Sequence, residues 1–330
     1  MLALLLPQLP DDILLLLFSY ADAQALGRLS QVCRRFQRLI SRDTVWRSIA
    51  KLSLNTGLTR HGRDAFRQIA LKERVKVSQN WKHGRCRQEV TLRWKCNLLP
   101  WLQLDKQWLY ISQASDIRAY PLSCSSVGLR RHPINVYTGH QDDVCRFVVN
   151  ESHVVSGGGS VLTGTACCGH ASPLRVWDLQ SGRLVSSLGL DFRRGAGVLD
   201  ILYESPSVVL TCGYDAYIRQ WDVRASTRHC VLEWEEPHDS ALYCLQTDGN
   251  FMIASGSSHY GVVRLWDKRQ LKSLQMFFLS SPSSSPVYCL RFTTSHLYAA
   301  LAHALYALDF TSSEHELHLA QNETSPGLHR

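Results

Sequence analysis

With 330 residues, 45% hydrophobic and 19% charged, the chain has room for one small and one large globular domain and is too apolar for the disordered class. Its 11 cysteines are odd in number and scattered, with no C-x-x-C pair, which argues against a disulfide framework or a zinc cage. The net charge of +8 is uneven, because residues 1–96 hold 18 Lys+Arg against 7 Asp+Glu. Those cations are dispersed through helical segments without a stacking platform or DNA-reading motif, so a solvated or partner-facing surface is expected rather than a nucleic-acid site.

The amino-terminal stretch, residues 9–46, organises the rest. Ile13, Leu14, Leu17 and Phe18 fall at i, i+1, i+4 and i+5, predicting a short helix near Pro10 with a wide apolar stripe. Asp11 and Asp12 suit the positive end of its dipole. A second helix is expected through Leu26, Leu29, Val32, Cys33, Phe36, Leu39 and Ile40, with Gly27 blurring its start. A third, over residues 43–51, would be capped by Ser41 or Asp43 and carry Val45, Trp46 and Ile49. About forty residues cannot bury that much apolar surface on themselves, which implies a partner. The apolar run at residues 13–18 is not expected to act as a secretory signal, since acidic residues and prolines precede it where positive charge is needed. No run reaches the length of a membrane span, and a cytoplasmic or nuclear protein is expected.

The order Leu-Pro, Ile-Leu, Phe-Ser-Tyr, Gln-Val-Cys-Arg-Arg-Phe, Trp-Arg resembles an F-box. The resemblance implies docking on the small adaptor subunit of an SCF-type ubiquitin ligase, and through it on a cullin scaffold. It makes Leu9, Pro10, Ile13, Leu14, Phe18, Leu29, Val32, Cys33, Phe36 and Trp46 the adaptor-facing or motif-core positions.

Residues 52–85 read as a helical linker, broken by Asn55, Gly57 and Gly62, with one helical patch at residues 65–71. Asn80-Trp81-Lys82-His83-Gly84 resembles the segment that joins an F-box to the first blade in F-box proteins with WD repeats. A tryptophan there would pack the linker onto the next domain.

Beyond Cys86 the pattern turns to short alternating runs separated by Gly, Ser, Asn and Asp, which is the signature of an all-β region. Three segments end alike, in Arg-Val-Trp177-Asp178, Arg-Gln-Trp221-Asp222 and Arg-Leu-Trp266-Asp267. Their tryptophans are 44 and 45 residues apart, the size of one four-stranded propeller blade, and resemble WD repeats. Each is preceded by a strand ending in small residues around Gly164, Gly213 or Gly256, where glycine permits close packing. Weaker units flank them, one closing on Tyr120 and one placing Leu308 where tryptophan stands elsewhere.

Resemblance to WD repeats implies a polar network of His, Ser or Thr, Asp and Trp in each blade. His238 with Ser255 and Trp266 fits one blade, Asp215 with Thr211 and Trp221 another, and Gly139-His140 opens a further unit. The blade-holding set is thus His140, Trp177, Asp178, Asp215, Trp221, Asp222, His238, Ser255, Trp266 and Asp267. Such residues are spread around a ring, so they do not form a catalytic triad. Arg118, Arg175, Arg219 and Arg264 recur in third strands, as a phosphate-binding ring or, the favoured reading, as structural residues. Cys167-Cys168 beside His170 is the one arrangement suggestive of a metal, yet neighbouring strand residues point to opposite faces. His315-Glu316-Leu317-His318 lacks zinc-protease spacing.

The unit opened by His140 never finishes. After Gly159 and Ser160 a second-strand ending, residues 161–165, follows at once, so either one blade carries an inserted hairpin or repeat material is absent. GTACCGH at 164–170, GAGVLD at 195–200, CVLEWEEPHDS at 230–240, LYCLQTDGN at 242–250 and YGVVRLWD at 260–267 resemble the dactylin family of F-box and WD-repeat proteins. Against that family, blade material between Gly159 and Val161 is missing. The expected organisation is α+β and multidomain: a three-helix F-box over residues 1–51, the linker, an all-β propeller of about five recognisable blades over residues 86–310, and a polar tail over residues 311–330. The expected role is a non-catalytic substrate-recognition subunit needing no cofactor or metal, with an unidentified protein on the propeller. The alternative is a non-degradative scaffold for signalling complexes.

Overall fold

The structure, a computed structural model, describes residues 8–59, 64, 66, 68–95, 97–105, 108–122, 129, 132–138, 160–164, 174–178, 184–189, 197–225, 228–238, 240–279 and 284–311. The chain divides into two compact units, residues 1–85 together with 310–330, and residues 86–309.

In the first unit, α1 (Asp11–Ser19), α2 (Ala23–Leu29), α3 (Arg34–Ile40) and α4 (Asp43–Leu52) pack around Leu14, Phe18, Leu26, Phe36, Leu39 and Trp46. Four helices therefore replace the three expected, because the second periodic run breaks. Asp22 caps α2 by accepting from the Ala25 N–H at 2.7 Å, and α2 ends at Ser30. The chain then extends at Cys33, whose φ is −158° and whose Sγ accepts from the Phe36 N–H to start α3. Neither cap expected for the next helix acts as one. Ser41 closes α3, and Arg42 stands at the start of α4 without a side-chain cap. Asp43 instead accepts from the Leu71 N–H at 2.9 Å, holding the first turn of the next helix.

That helix, α5 (Leu71–His83), lies after the patch expected at residues 65–71, and Gln68 to Ala70 are irregular. The shift follows from its partners. Arg74 is buried, forks onto both carboxylate oxygens of Asp64 at 2.7 and 3.0 Å, and donates to the Thr56 carbonyl. At its other end Gly84 takes a left-handed φ of 68°, which terminates the helix at low steric cost. Trp81 stacks on Phe310 at 3.6 Å between ring centroids, and Asn80 Nδ2 donates to the Phe310 carbonyl. Phe310 is thereby part of the helical unit.

The second unit is built of antiparallel sheets with the repeat of a propeller. Four have four strands: β2 (Leu102–Asp105) to β5 (Asn135–Tyr137), β9 (Val198–Tyr203) to β12 (Leu232–Glu235), β13 (Leu242–Thr247) to β16 (Ser273–Phe278), and β17 (Val287–Phe292) to β19 (Ala304–Asp309) completed by β1 (Arg87–Arg93). Among the described residues a fifth sheet has three: β6 (Ser160–Gly164), β7 (Leu174–Asp178) and β8 (Leu184–Leu188). The repeats align rung for rung. Trp177 pairs with Val161, Trp221 with Val209, Trp266 with Ile253, Leu308 with Leu297 and Tyr120 with Leu109, so all five occupy one register position. Apolar side chains fill the space between sheets: Leu210, Trp234, Leu245 and Trp266 in one seam, Leu109, Tyr120, Tyr298 and Leu305 in another.

The sequence reading does not anticipate β1, the strand entering the propeller, as the outer strand of the last sheet, with Arg87 opposite Asp309 and Val90 opposite Tyr306. Closing the sheet this way satisfies the outer edge of β19 with a strand from the other end of the unit. His140, the Cys167-Cys168-His170 group and residues 312–330 lie outside the described residues, and of Trp177 and Asp178 only the backbone is described. No helix among the described residues is long and apolar enough to cross a membrane.

Candidate functional site

Helix α1 is apolar on two sides. Leu14 and Phe18, one turn apart, are buried, and Phe18 meets Phe36 edge to face at 5.2 Å. Opposite them Ile13, Leu16, Leu17 and Tyr20, at i, i+3, i+4 and i+7, are 41%, 55%, 44% and 83% exposed. A helix apolar all round is ordinarily covered all round. Val32, in the turn between α2 and α3, adds a 63% exposed side chain.

This geometry divides the residues singled out in the F-box. Leu14, Phe18, Phe36 and Trp46 belong to the unit's own core, where Trp46 Nε1 donates to the Ile40 carbonyl at 2.6 Å. Leu9, Leu29 and Cys33 are half-buried against it, while Pro10, Ile13 and Val32 face outward. Leu16, Leu17 and Tyr20 were missed as outward-facing residues, although their spacing from Ile13 is a helical stripe that could have found them. The helices are pinned by Arg35, whose Nη2 donates to Asp11 and to the Leu9 carbonyl. The Asp11 carboxyl is held below its usual range, chiefly by the hydrogen bond from Arg35 and then by the charges of Arg35, Arg38 and Arg42.

In the propeller, Trp221 Nε1 donates to Thr211 Oγ1 and Trp266 Nε1 to Ser255 Oγ, both at 2.9 Å. The rest of the expected network takes other forms. His238 is exposed, and Asp215 pairs with Arg219 at 2.7 Å. Asp222 and Asp267 tie down the turns that follow them, accepting from the backbone N–H and the guanidinium of Arg224 and Arg269. Arg224 depresses the Asp222 carboxyl to about 2. Of the recurring arginines, the three whose side chains are described are paired in the same spirit: Arg264 with the buried Glu236, Arg219 with Asp215, and Arg118 with Asp116 at 3.3 Å, while the Arg175 side chain lies outside the described residues. Guanidinium groups already held by carboxylates are poorly disposed to take a phosphate.

A small cleft on the closing sheet is lined by Arg87, Glu89, Leu129, His296, Tyr298, Ala307 and Asp309. His296 meets Ser295 Oγ at 2.9 Å through Nδ1 and Asp309 at 3.5 Å through Nε2. The second separation is beyond hydrogen-bond range, and Ser295 belongs to the turn joining β17 to β18 (His296–Leu301). Burial lowers the His296 pKa and lifts the Cys86 thiol to about 12, the reverse of an activated nucleophile. Among the described residues no group of three His, Cys, Asp or Glu could hold a metal.

The F-box-like family profile matches residues 6–51, and that of the WD domain, G-beta repeat, matches residues 228–267. The chain is 48% identical to F-box/WD repeat-containing protein 4 of Homo sapiens over 380 aligned positions, covering 92% of each protein. Its Mus musculus counterpart gives the same identity over 92% of this chain and 93% of that one. Mitotic checkpoint protein BUB3.3 of Arabidopsis thaliana is 27% identical over 138 residues, 42% of this chain and 40% of that one. Among solved structures, the WD40 β-propeller domain of Doa1 aligns with a TM-score of 0.43 at 16% identity, over 63% of this chain and 77% of that one. An alignment of 380 positions on a chain of 330 residues leaves at least 50 positions of the mammalian relatives without a counterpart here, more than the roughly 40 to 45 residues of one blade. The chain is therefore shorter than these relatives within the aligned span, in keeping with the missing repeat material that the interrupted repeat leads one to expect. Helices with the F-box marker order, sheets in blade register and identity across nearly the whole length converge, and the chain belongs to the family of F-box/WD repeat-containing protein 4, the dactylin family.

Proposed function

We propose that this protein is the substrate-recognition subunit of an SCF-type ubiquitin ligase. The outer face of α1 binds the adaptor subunit, which links it to a cullin, and the propeller binds the protein to be modified. The observation that carries this reading is the exposed stripe of Ile13, Leu16, Leu17 and Tyr20, on a helix whose opposite side already fills the core. Covering such side chains is favourable by about 1.5–3 kcal/mol each before the cost of association. F-box and WD modules are typically non-catalytic. Bringing substrate and ubiquitin-conjugating enzyme together raises their effective concentration, and that proximity is the subunit's contribution.

The test is co-expression with the SCF adaptor subunit followed by size-exclusion chromatography. Leu14→Ala would be uninformative, because emptying a fully buried site costs folding stability of about 2–5 kcal/mol. Ile13→Ala with Leu17→Ala leaves the core intact. A wild-type complex that weakens about 100-fold or more in this double variant, with unchanged melting, is the expected result. A stable protein that forms no complex would leave the scaffold reading in its place.

A further inference from the structure

We propose that the adaptor-docking face has a basic flank, made by Arg34, Arg38 and Arg42, and that the partner surface it meets is acidic. This inference rests on the docking reading above and adds the chemistry of the partner.

Arg34 and Arg38 lie one turn apart on the outer side of α3, while Phe36, Leu39 and Ile40 turn inward. Arg42 follows at the start of α4. All three are exposed. The row lies beside the docking face, since Arg35 on the same helix bonds to Asp11 and to the Leu9 carbonyl at the start of α1, only two residues before Ile13. Arg38 also approaches Asp11, at 3.8 Å, while remaining 69% exposed. One carboxylate thus stands among several guanidinium groups.

Two positions argue against a row chosen for helix stability. A cation in the last turn suits the helix dipole, as Arg38 does. Arg34 is in the first turn of α3 and Arg42 occupies the N-terminal boundary of α4, both at positive helix ends where a cation is unfavourable. Arg42 also makes no capping hydrogen bond, where Ser, Thr, Asp or Asn would. Cations retained against the dipole beside an exposed apolar stripe are explained by an anionic surface outside the molecule. Such charges accelerate association and are screened by salt.

Association of the full-length chain with immobilised adaptor subunit is followed by biolayer interferometry at about 0.05 M and about 0.5 M NaCl, for wild type and for the triple variant Arg34→Gln, Arg38→Gln, Arg42→Ser. The variant retains Arg35 on Asp11 and gains a good capping residue at position 42, so its folding is protected, and circular dichroism melting verifies this. The expected result is a wild-type association rate that falls about 10-fold with salt, and a variant that is about 10-fold slower at low salt and nearly insensitive to it. Equal, salt-independent rates for both proteins would overturn the inference while leaving apolar docking standing. No binding by wild type at either salt would overturn the docking reading and this inference together. Tighter binding to a single-stranded DNA oligonucleotide than to the adaptor would assign the arginines to nucleic acid instead.

Discussion

Arg264 illustrates how a repeated residue acquires different surroundings in each blade. It occupies the rung opposite Ser255, as Arg219 lies opposite Thr211, yet its guanidinium is buried and reaches Glu236, 28 positions earlier in the chain. Nε lies 2.6 Å from Oε2 of Glu236, and both side chains are almost inaccessible to solvent. Removing one partner strands a buried charge, so Arg264→Ala should destabilise by about 3–5 kcal/mol in urea unfolding. Replacing both, with Arg264→Met and Glu236→Leu, should cost less than about 1 kcal/mol. An equal loss in the single and double variants would mean that packing, not charge pairing, is what Arg264 supplies. Recurrence of Arg in third strands was plain in the sequence, but its meaning depended on which carboxylate folding brought near. The same holds for His238 and Ser255, read as one network: the hydroxyl takes the Trp266 N–H, while the histidine is exposed.

Single elements were legible where their burial is one-sided and apolar. α1 and the third strands fall in this class. α5 does not, because half of the buried face of this helix is polar: Arg74, Ser78 and Asn80 lie inside with Leu71, Val75 and Trp81. A periodicity of apolar residues passes over such a helix. The glycines at strand ends carried a clearer message. A Cβ at Gly213 would lie 1.7 Å from the Gly197 carbonyl oxygen on the neighbouring segment, whose backbone also accepts from the Tyr214 N–H. Gly213→Ala should therefore part β9 from β10 (Val208–Gly213) at that end and cost about 3 kcal/mol, read as a lower melting temperature. Gly249→Ala has open space around its Cβ but a φ of 70°, and should cost only about 1 kcal/mol. A larger effect at Gly249 than at Gly213 would contradict this account.

At the scale of the propeller unit, closure and the seams between sheets decide stability. Three buried thiols donate across successive seams: Cys212 to the Leu242 carbonyl, Cys244 to Val287 and Cys289 to Leu102. These cysteines act as small buried residues with a weak donor, and burial lifts the pKa of Cys212 and Cys244 well above the usual thiol range. The last sheet depends on β1 as well. In a strand, successive N–H groups point to opposite sides, so the double change Gln88→Pro, Glu89→Pro removes at least one bond to β19. We expect a loss of about 3 kcal/mol and faster hydrogen exchange in β17 to β19. Unchanged protection there would mean that the sheet stands without its first strand.

The sequence by itself determined the F-box marker order, the blade spacing and the family. Each of these is a matter of local period or of order along the chain, and both are written in one dimension. Only the tertiary structure decided which side of α1 is core and which is left exposed, since Ile13 and Leu14 are equally apolar neighbours. It also decided that β1 closes the sheet ending in β19, that Phe310 stacks on Trp81, and which carboxylate neutralises each arginine. These contacts join residues far apart in the chain. Their partners are selected by whichever surfaces meet once the core is buried, and no local pattern carries that information.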